Sequence, residues 1–155
     1  MKISIFACGF SIDNGKPTQR GACAARLEYV DDHDRKSARV ISEPVGSSTG
    51  PQCDLKAAIL GLMSVSAVPV LRLRKAPICL CASTYVAQLL ERDGDDFKIN
   101  PKKNGELVRR LREKVALFNN LTVQAGTKEQ LQQALDVAKT AVDTGIGSDS
   151  GTIQL

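Results

Sequence analysis

The chain is 155 residues long, enough for one domain whose core buries roughly 68–70% of the surface its unfolded form would expose. Hydrophobic residues at 43% and charged residues at 25% exclude a disordered or fibrous chain. A net charge of +4 is too mild to define a partner on its own, and the longest apolar run, Leu60 to Leu73, is broken by Ser64, Ser66, Pro69 and Arg72, so no segment is expected to span a bilayer.

In chain order, "KISIFAC" (Lys2 to Cys8) alternates polar or small residues with Ile3 and Ile5 and predicts a strand with at least one buried face. The loop "SIDNGKPTQR" follows, with Asn14-Gly15 predicting a turn of positive φ. "GACAARLEYV" and "SARVISEPV" predict two further strands, joined at the hairpin tip "DDHDRK". "SSTGPQCDLKAAILGLMSV" carries a helix start, with Ser48, Thr49 or Gly50 as cap, Pro51 in the first turn, and Leu55, Ile59 and Leu62 as the apolar face.

A linker containing Pro69 and "RLRK" leads to the strand "PICLC", and "STYVAQLLERDG" predicts a short helix capped by Ser83 and stopped at Gly94. After the polar loop "DDFKINPKK", Asn104 is expected to cap a helix in which Leu107, Leu111, Val115 and Phe118 recur at helical spacing. "LTVQ" is the last strand. "TKEQLQQALDVAKTAV" opens with Thr127 and Gln130 in capping-box spacing and buries Leu131, Ala134 or Leu135, Ala138 and Val142. Residues 145–155 read as a flexible C-terminal tail, leaving residues 1–144 as the domain.

The five cysteines, Cys8, Cys23, Cys53, Cys79 and Cys81, are an odd number, mostly among small or apolar neighbours and preceded by no secretory segment. They read as buried thiols in a reducing, cytoplasmic compartment. Cys79 and Cys81 share one strand face, but the single histidine, His33, lies in the hairpin tip, so a zinc site is not expected. Lys102, Lys103, Arg109, Arg110, Arg112 and Lys114 stand against only Glu106 and Glu113, a pattern that fits either a solvated helix face or a patch facing phosphates. Aromatic residues at 4%, with no tryptophan, make a base-stacking platform a poor expectation, and Tyr85 and Phe118 are expected in the core.

The order strand, strand, strand, helix, strand, helix, helix, strand, helix is similar to the ribonuclease H fold. That is an α/β architecture with a mixed five-stranded sheet, three antiparallel strands then parallel ones, flanked by helices. Four stretches carry the resemblance. "SIFACGFSIDNGKPTQRGACAA" resembles the family's first strand and glycine-rich turn; "SSTGPQCDLKAAILGL" resembles its Thr-Asn-Asn-x-x-Glu-Leu-x-Ala-Ala helix start; "CASTYVAQLL" resembles Thr-Asp-Ser-x-Tyr-Val; and "PKKNGELVRRL" resembles the Lys-Asn-x-Asp-Leu after the basic region.

The resemblance implies four carboxylates holding two magnesium ions that cleave an RNA phosphodiester, because hard Mg²⁺ takes oxygen ligands. Carried onto this chain, those positions fall on Cys8, Asp54, Ala82 and Ala134 (or Leu135), with Glu129 and Asp136 the nearest acids to the last. The family's histidine loop is shortened to "VQAGTK". Only Asp54 remains as a metal candidate; a displaced site using Asp13 with Asp54 and Glu129 or Asp136 is the rescue, and a Cys8 nucleophile lacks a general base. The expected protein is a catalytically deficient ribonuclease H-like domain that binds nucleic acid weakly and electrostatically, with no cofactor unless an active site needs Mg²⁺. The alternatives are a protein-interaction module on the same fold and an RNA–DNA hybrid nuclease with rearranged ligands. Phosphate contacts are expected from Lys16 and Arg20 in the first turn, from Thr49 and Gln52 at a helix N-terminus, and from Lys102, Lys103, Arg109, Arg110 and Arg112. The family's paired asparagines fall on Gly50 and Pro51.

Overall fold

The computed structural model describes residues 1–66 and 75–155; the linker containing Pro69 and Arg72 lies outside the described residues. Three long strands, β1 (Lys2–Ile12), β2 (Arg20–Val30) and β3 (Lys36–Gly46), form an antiparallel meander. Helix α1 (Gly50–Ser66) then crosses to β4 (Ile78–Ala82), which pairs in parallel with β1. Next come α2 (Thr84–Leu89), a small hairpin of β5 (Arg92–Asp93) and β6 (Asp96–Phe97), and α3 (Gly105–Val115). β7 (Leu121–Ala125) pairs in parallel with β4, α4 (Lys128–Thr144) returns across the sheet, and β8 (Ser148–Asp149) and β9 (Ile153–Gln154) end the chain. The sheet order is β7-β4-β1-β2-β3-β8, with β9 also on β3.

Strand alternation sorts β1 onto two cores. Ile3, Ile5 and Ala7 join Ala25, Leu27, Leu55, Leu62 and Leu80 on the α1 face. Cys8, Phe10 and Ile12 lie on the other face with Ala22, Ala24, Ala134, Ala138, Ala141 and Val142. Burying each Ile or Leu of the first cluster contributes roughly 1.5–3 kcal/mol. The second cluster is built almost wholly of alanine, which lets α4 approach the sheet closely.

Local chemistry explains the element starts. Thr49 caps α1: its hydroxyl accepts from the Gln52 N–H (3.4 Å) while the Gln52 side chain accepts from the Thr49 N–H (2.9 Å). Thr127 and Gln130 form the same reciprocal box on α4, and Ser83 accepts from Val86 N–H (3.2 Å) on α2.

Four expectations are corrected. β1 runs four residues past Cys8 to Ile12, because β2 pairs with it throughout. α2 ends at Leu89, not Gly94: the Arg112 guanidinium takes the carbonyls of Leu89 (2.8 Å) and Ile99 (2.7 Å) and lies 4.1 Å over the Phe97 ring, and Gly94 instead turns the β5–β6 hairpin at φ 66°. Asn104 precedes α3 in the left-handed region (φ 60°) with no side-chain cap, because its amide donates to the Tyr85 hydroxyl (3.2 Å) and accepts from Gln52 (3.2 Å). Residues 145–155 do not hang free. β8 and β9 pair with β3, Arg39 forks onto Asp149 at 2.6 and 3.0 Å, and Ser42 bonds Ser148 at 2.8 Å. The five strands read from sequence are thus joined at the β3 edge by two short ones, making a seven-stranded sheet.

Candidate functional site

The four positions that the resemblance singled out lie on β1, on the adjoining β4 and on the helices packed on the two faces of the sheet. Asp54, in the first turns of α1, accepts the Gly9 N–H at 2.8 Å, which places its carboxylate one residue from Cys8. Ala82 ends β4, and the following Ser83 is close enough for its hydroxyl to act on the Asp54 carboxyl. Ala134 of α4 packs in the same alanine cluster as Cys8.

What they bring is mostly hydrocarbon. Ala82 is 0% and Ala134 1% exposed. Burial, reinforced by the neighbouring Asp54 charge and partly offset by Lys139, pushes the Cys8 thiol up to about 11, so it is protonated at neutral pH. Burial also raises the Asp54 carboxyl above its ordinary range, while the Gly9 N–H and Ser83 hydroxyl pull it back.

Two magnesium ions do not fit this donor set. They need a shell of anionic oxygens in near-octahedral geometry; the site offers one carboxylate, already accepting a backbone N–H, beside a neutral thiol and two methyl groups. The rescue acids do not assemble either: Asp13 pairs with Arg20 (3.4 Å) and Asp136 accepts from Gln132 (2.8 Å). Among the described residues no group of three or more His, Cys, Asp or Glu stands together to hold a metal.

Sequence reasoning missed Lys139. Its ammonium lies 5.4 Å from the centre of the Phe10 ring and its charge acts on Cys8, so among the described residues the cation that acts on this thiol comes from α4. The available signal was its place beside the Ala134–Ala138 stripe.

The basic residues separate by what holds them. Arg112 is a structural tie between α3, Leu89 and Ile99, and Arg109 forks between Glu106 and Glu113, so the structure commits both to partners within the chain. Lys102, Lys103 and Arg110 are exposed. In the first turn Lys16 is exposed, whereas Arg20 is engaged by Asp13 and the Thr18 carbonyl (3.3 Å). Thr49 and Gln52 are spent on their capping box, and Gln52 also reaches Asn104.

This topology and site position define a ribonuclease H-like fold. Comparison with protein-family models and with curated protein sequences finds no match. Solved structures do resemble the chain. Against ribonuclease H1 from the halophilic archaeon Halobacterium salinarum the TM-score is 0.68 at 17% identity, covering 93% of this chain and 99% of that one. Against LC9-RNase H1, described as a type 1 ribonuclease H with the type 2 active-site motif, it is 0.72 at 15% identity, covering 99% and 77%. The foamy virus protease-reverse transcriptase, solved in complex with an RNA/DNA hybrid, gives 0.68 at 12% identity over 92% of this chain, which spans only 20% of that one. The chain therefore has the ribonuclease H-like fold.

Proposed function

We propose that this chain is a ribonuclease H-like domain without metal-dependent nuclease activity that binds duplex nucleic acid, RNA–DNA hybrid included, through backbone charge. The observation that carries this reading is the filled site: Ala82 and Ala134 are buried and Cys8 is held as a neutral thiol where hydrolysis requires carboxylates. Replacing a cluster of mutually repelling acids with packed small residues stabilises the fold, as expected where catalysis no longer demands the strain. The ligand class is supported by exposed Lys16, Lys102, Lys103 and Arg110, and by a structural neighbour that holds a hybrid. Five free thiols suit a reducing, cytoplasmic setting.

With Lys102, Lys103 and Arg110 as the main phosphate contacts, log K falls by roughly 3 per tenfold rise in salt. Fluorescence anisotropy with a labelled hybrid over a salt series tests this. Absence of binding at low salt would turn the reading toward a protein-interaction module, and hybrid cleavage with Mg²⁺ or Mn²⁺ that Asp54→Asn abolishes would replace it with a nuclease.

A further inference from the structure

Away from the filled site, β4 carries two sulfurs side by side. Cys79 and Cys81 alternate onto one face of the strand, and their Sγ atoms stand 3.8 Å apart. The pairing register sets Ser4 and Phe6 of β1 on one side and Thr122 and Gln124 of β7 on the other. The Gln124 side-chain amide donates to the Cys81 sulfur at 3.3 Å. Cys81 is buried and Cys79 only half so, which gives the pair an open side. Among the described residues, α4 packs chiefly on β1, β2 and β3 and touches β4 little.

Two chemistries could join these sulfurs. A disulfide needs them about 2.05 Å apart, and two residues of extended strand separate the Cα atoms by about 6.6 Å, near the upper limit of disulfide geometry, so β4 would have to bend out of its pairing with both neighbours. A bridging cation needs no such bend of the backbone: two metal–sulfur bonds of about 2.3 Å meet across the present gap at an angle of about 110°, and side-chain rotation that parts the sulfurs by about 0.5–0.8 Å opens it toward linear with the strand where it is. Zinc wants three or four protein ligands, and among the described residues no third His, Cys, Asp or Glu joins the pair. A soft cation content with two thiolates meets no such demand.

We infer that Cys79 and Cys81 form a two-thiolate site for a soft d¹⁰ cation of the copper(I) class, with Gln124 orienting the Cys81 sulfur. Binding breaks two S–H bonds, forms two S–Cu bonds and releases two protons to solvent, with no electron transferred.

The test is an anaerobic competition titration of the full chain with Cu(I) held by a chromophoric chelator, repeated on Cys79→Ser, Cys81→Ser, Gln124→Leu and, as control, Cys8→Ser. One equivalent binds the parent and Cys8→Ser alike, with a thiolate-to-copper charge-transfer band. Either β4 serine variant loses the site, and Gln124→Leu, an exposed position, weakens it about tenfold. Unchanged binding in the folded β4 variants, loss of binding in Cys8→Ser, one copper shared between two chains, or tighter binding of Zn²⁺ than of Cu(I) would each overturn the assignment. None of these outcomes depends on whether the domain binds nucleic acid.

Discussion

The Gly9 N–H donates to the Asp54 carboxylate at 2.8 Å, and this contact brings α1 so close to β1 that a Cβ on Gly9 would stand 2.3 Å from the Cys53 carbonyl carbon. The neighbour is helix backbone, which cannot rotate aside as a side chain can. Gly9→Ala is therefore expected to cost roughly 3 kcal/mol, read by urea denaturation. A loss below about 0.5 kcal/mol, the usual range for an open surface position, would mean that α1 and β1 do not meet this closely.

Asp54 should weaken the fold at neutral pH. Its folded-state pKa lies above the ordinary 3.8, with burial the largest cause, so folding penalises the charged form relative to the unfolded chain. Its contribution is most favourable below the unfolded pKa and is lost as pH rises through the raised folded value. Asp54→Asn keeps an acceptor for the Gly9 N–H and removes the charge. The variant should melt above the parent at pH 7, with the difference closing at about pH 3, where the carboxyl is protonated in both states. A variant that melts lower at pH 7 would show that the carboxylate is stabilised in place.

Restoring acids at the other three positions supplies the converse test. Cys8→Asp, Ala82→Asp and Ala134→Asp together would bury three further carboxyls in closed, mostly apolar settings on either side of β1. Unpaired buried charge costs roughly 3–5 kcal/mol, so the triple variant should be strongly destabilised without metal and partly recovered by millimolar Mn²⁺, measured as a metal-dependent rise in melting temperature. Parental stability without metal would mean that the pocket is open to water.

Much of this site was legible because strand alternation and helix starts are written locally. The alternation of Ile3 and Ile5 and the Thr127–Gln130 box place Cys8 and Ala134 on opposed elements, and a cap among Ser48, Thr49 and Gly50, which the structure puts at Thr49, sets Asp54 near the start of α1. What was not legible depends on long-range partners. Nothing local says that Arg112 will draw off the Leu89 carbonyl and end α2, that Asn104 will turn to Tyr85, or that Lys139 will lie over Phe10. The C-terminal segment misleads for the same reason: its order comes from Arg39 and Ser42, more than 100 residues earlier in the chain, as the separations of 110 and 106 residues in those bonds record.

Arg112 and the lysines beside it should part company under mutation. Arg112→Ala loses two carbonyl contacts and the stack on Phe97 and is expected to cost roughly 2–3 kcal/mol of stability. Lys102→Glu and Lys103→Glu, both exposed, should stay within about 0.5 kcal/mol of the parent while weakening hybrid binding and flattening its salt dependence. Equal stability losses for Arg112→Ala and Lys103→Glu would contradict the division drawn between tie and free cation.

The C-terminal strap carries its own acid signature. Arg39 forks onto Asp149, and hydrogen bonding from that guanidinium is the largest cause holding the Asp149 carboxyl down to about 2, with the Gly151 N–H adding to it. A depressed folded pKa gives stability that is present above the unfolded value of 3.8 and lost as pH falls through 2. Because the Asp149 side chain is 45% exposed, solvent screening reduces the contribution to about 1 kcal/mol. Asp149→Asn should therefore lower stability by about that amount at pH 7 and by progressively less toward pH 2, where parent and variant converge. Hydrogen exchange adds a local readout: the Val40 N–H donates to the Ser150 hydroxyl at 2.9 Å, so its protection should fall in the variant while that of Ile5, in central β1, stays near the global value. If Val40 exchanges equally slowly in both proteins, the ion pair does not hold the strap, and the order of residues 148–154 must come from the strand pairing alone.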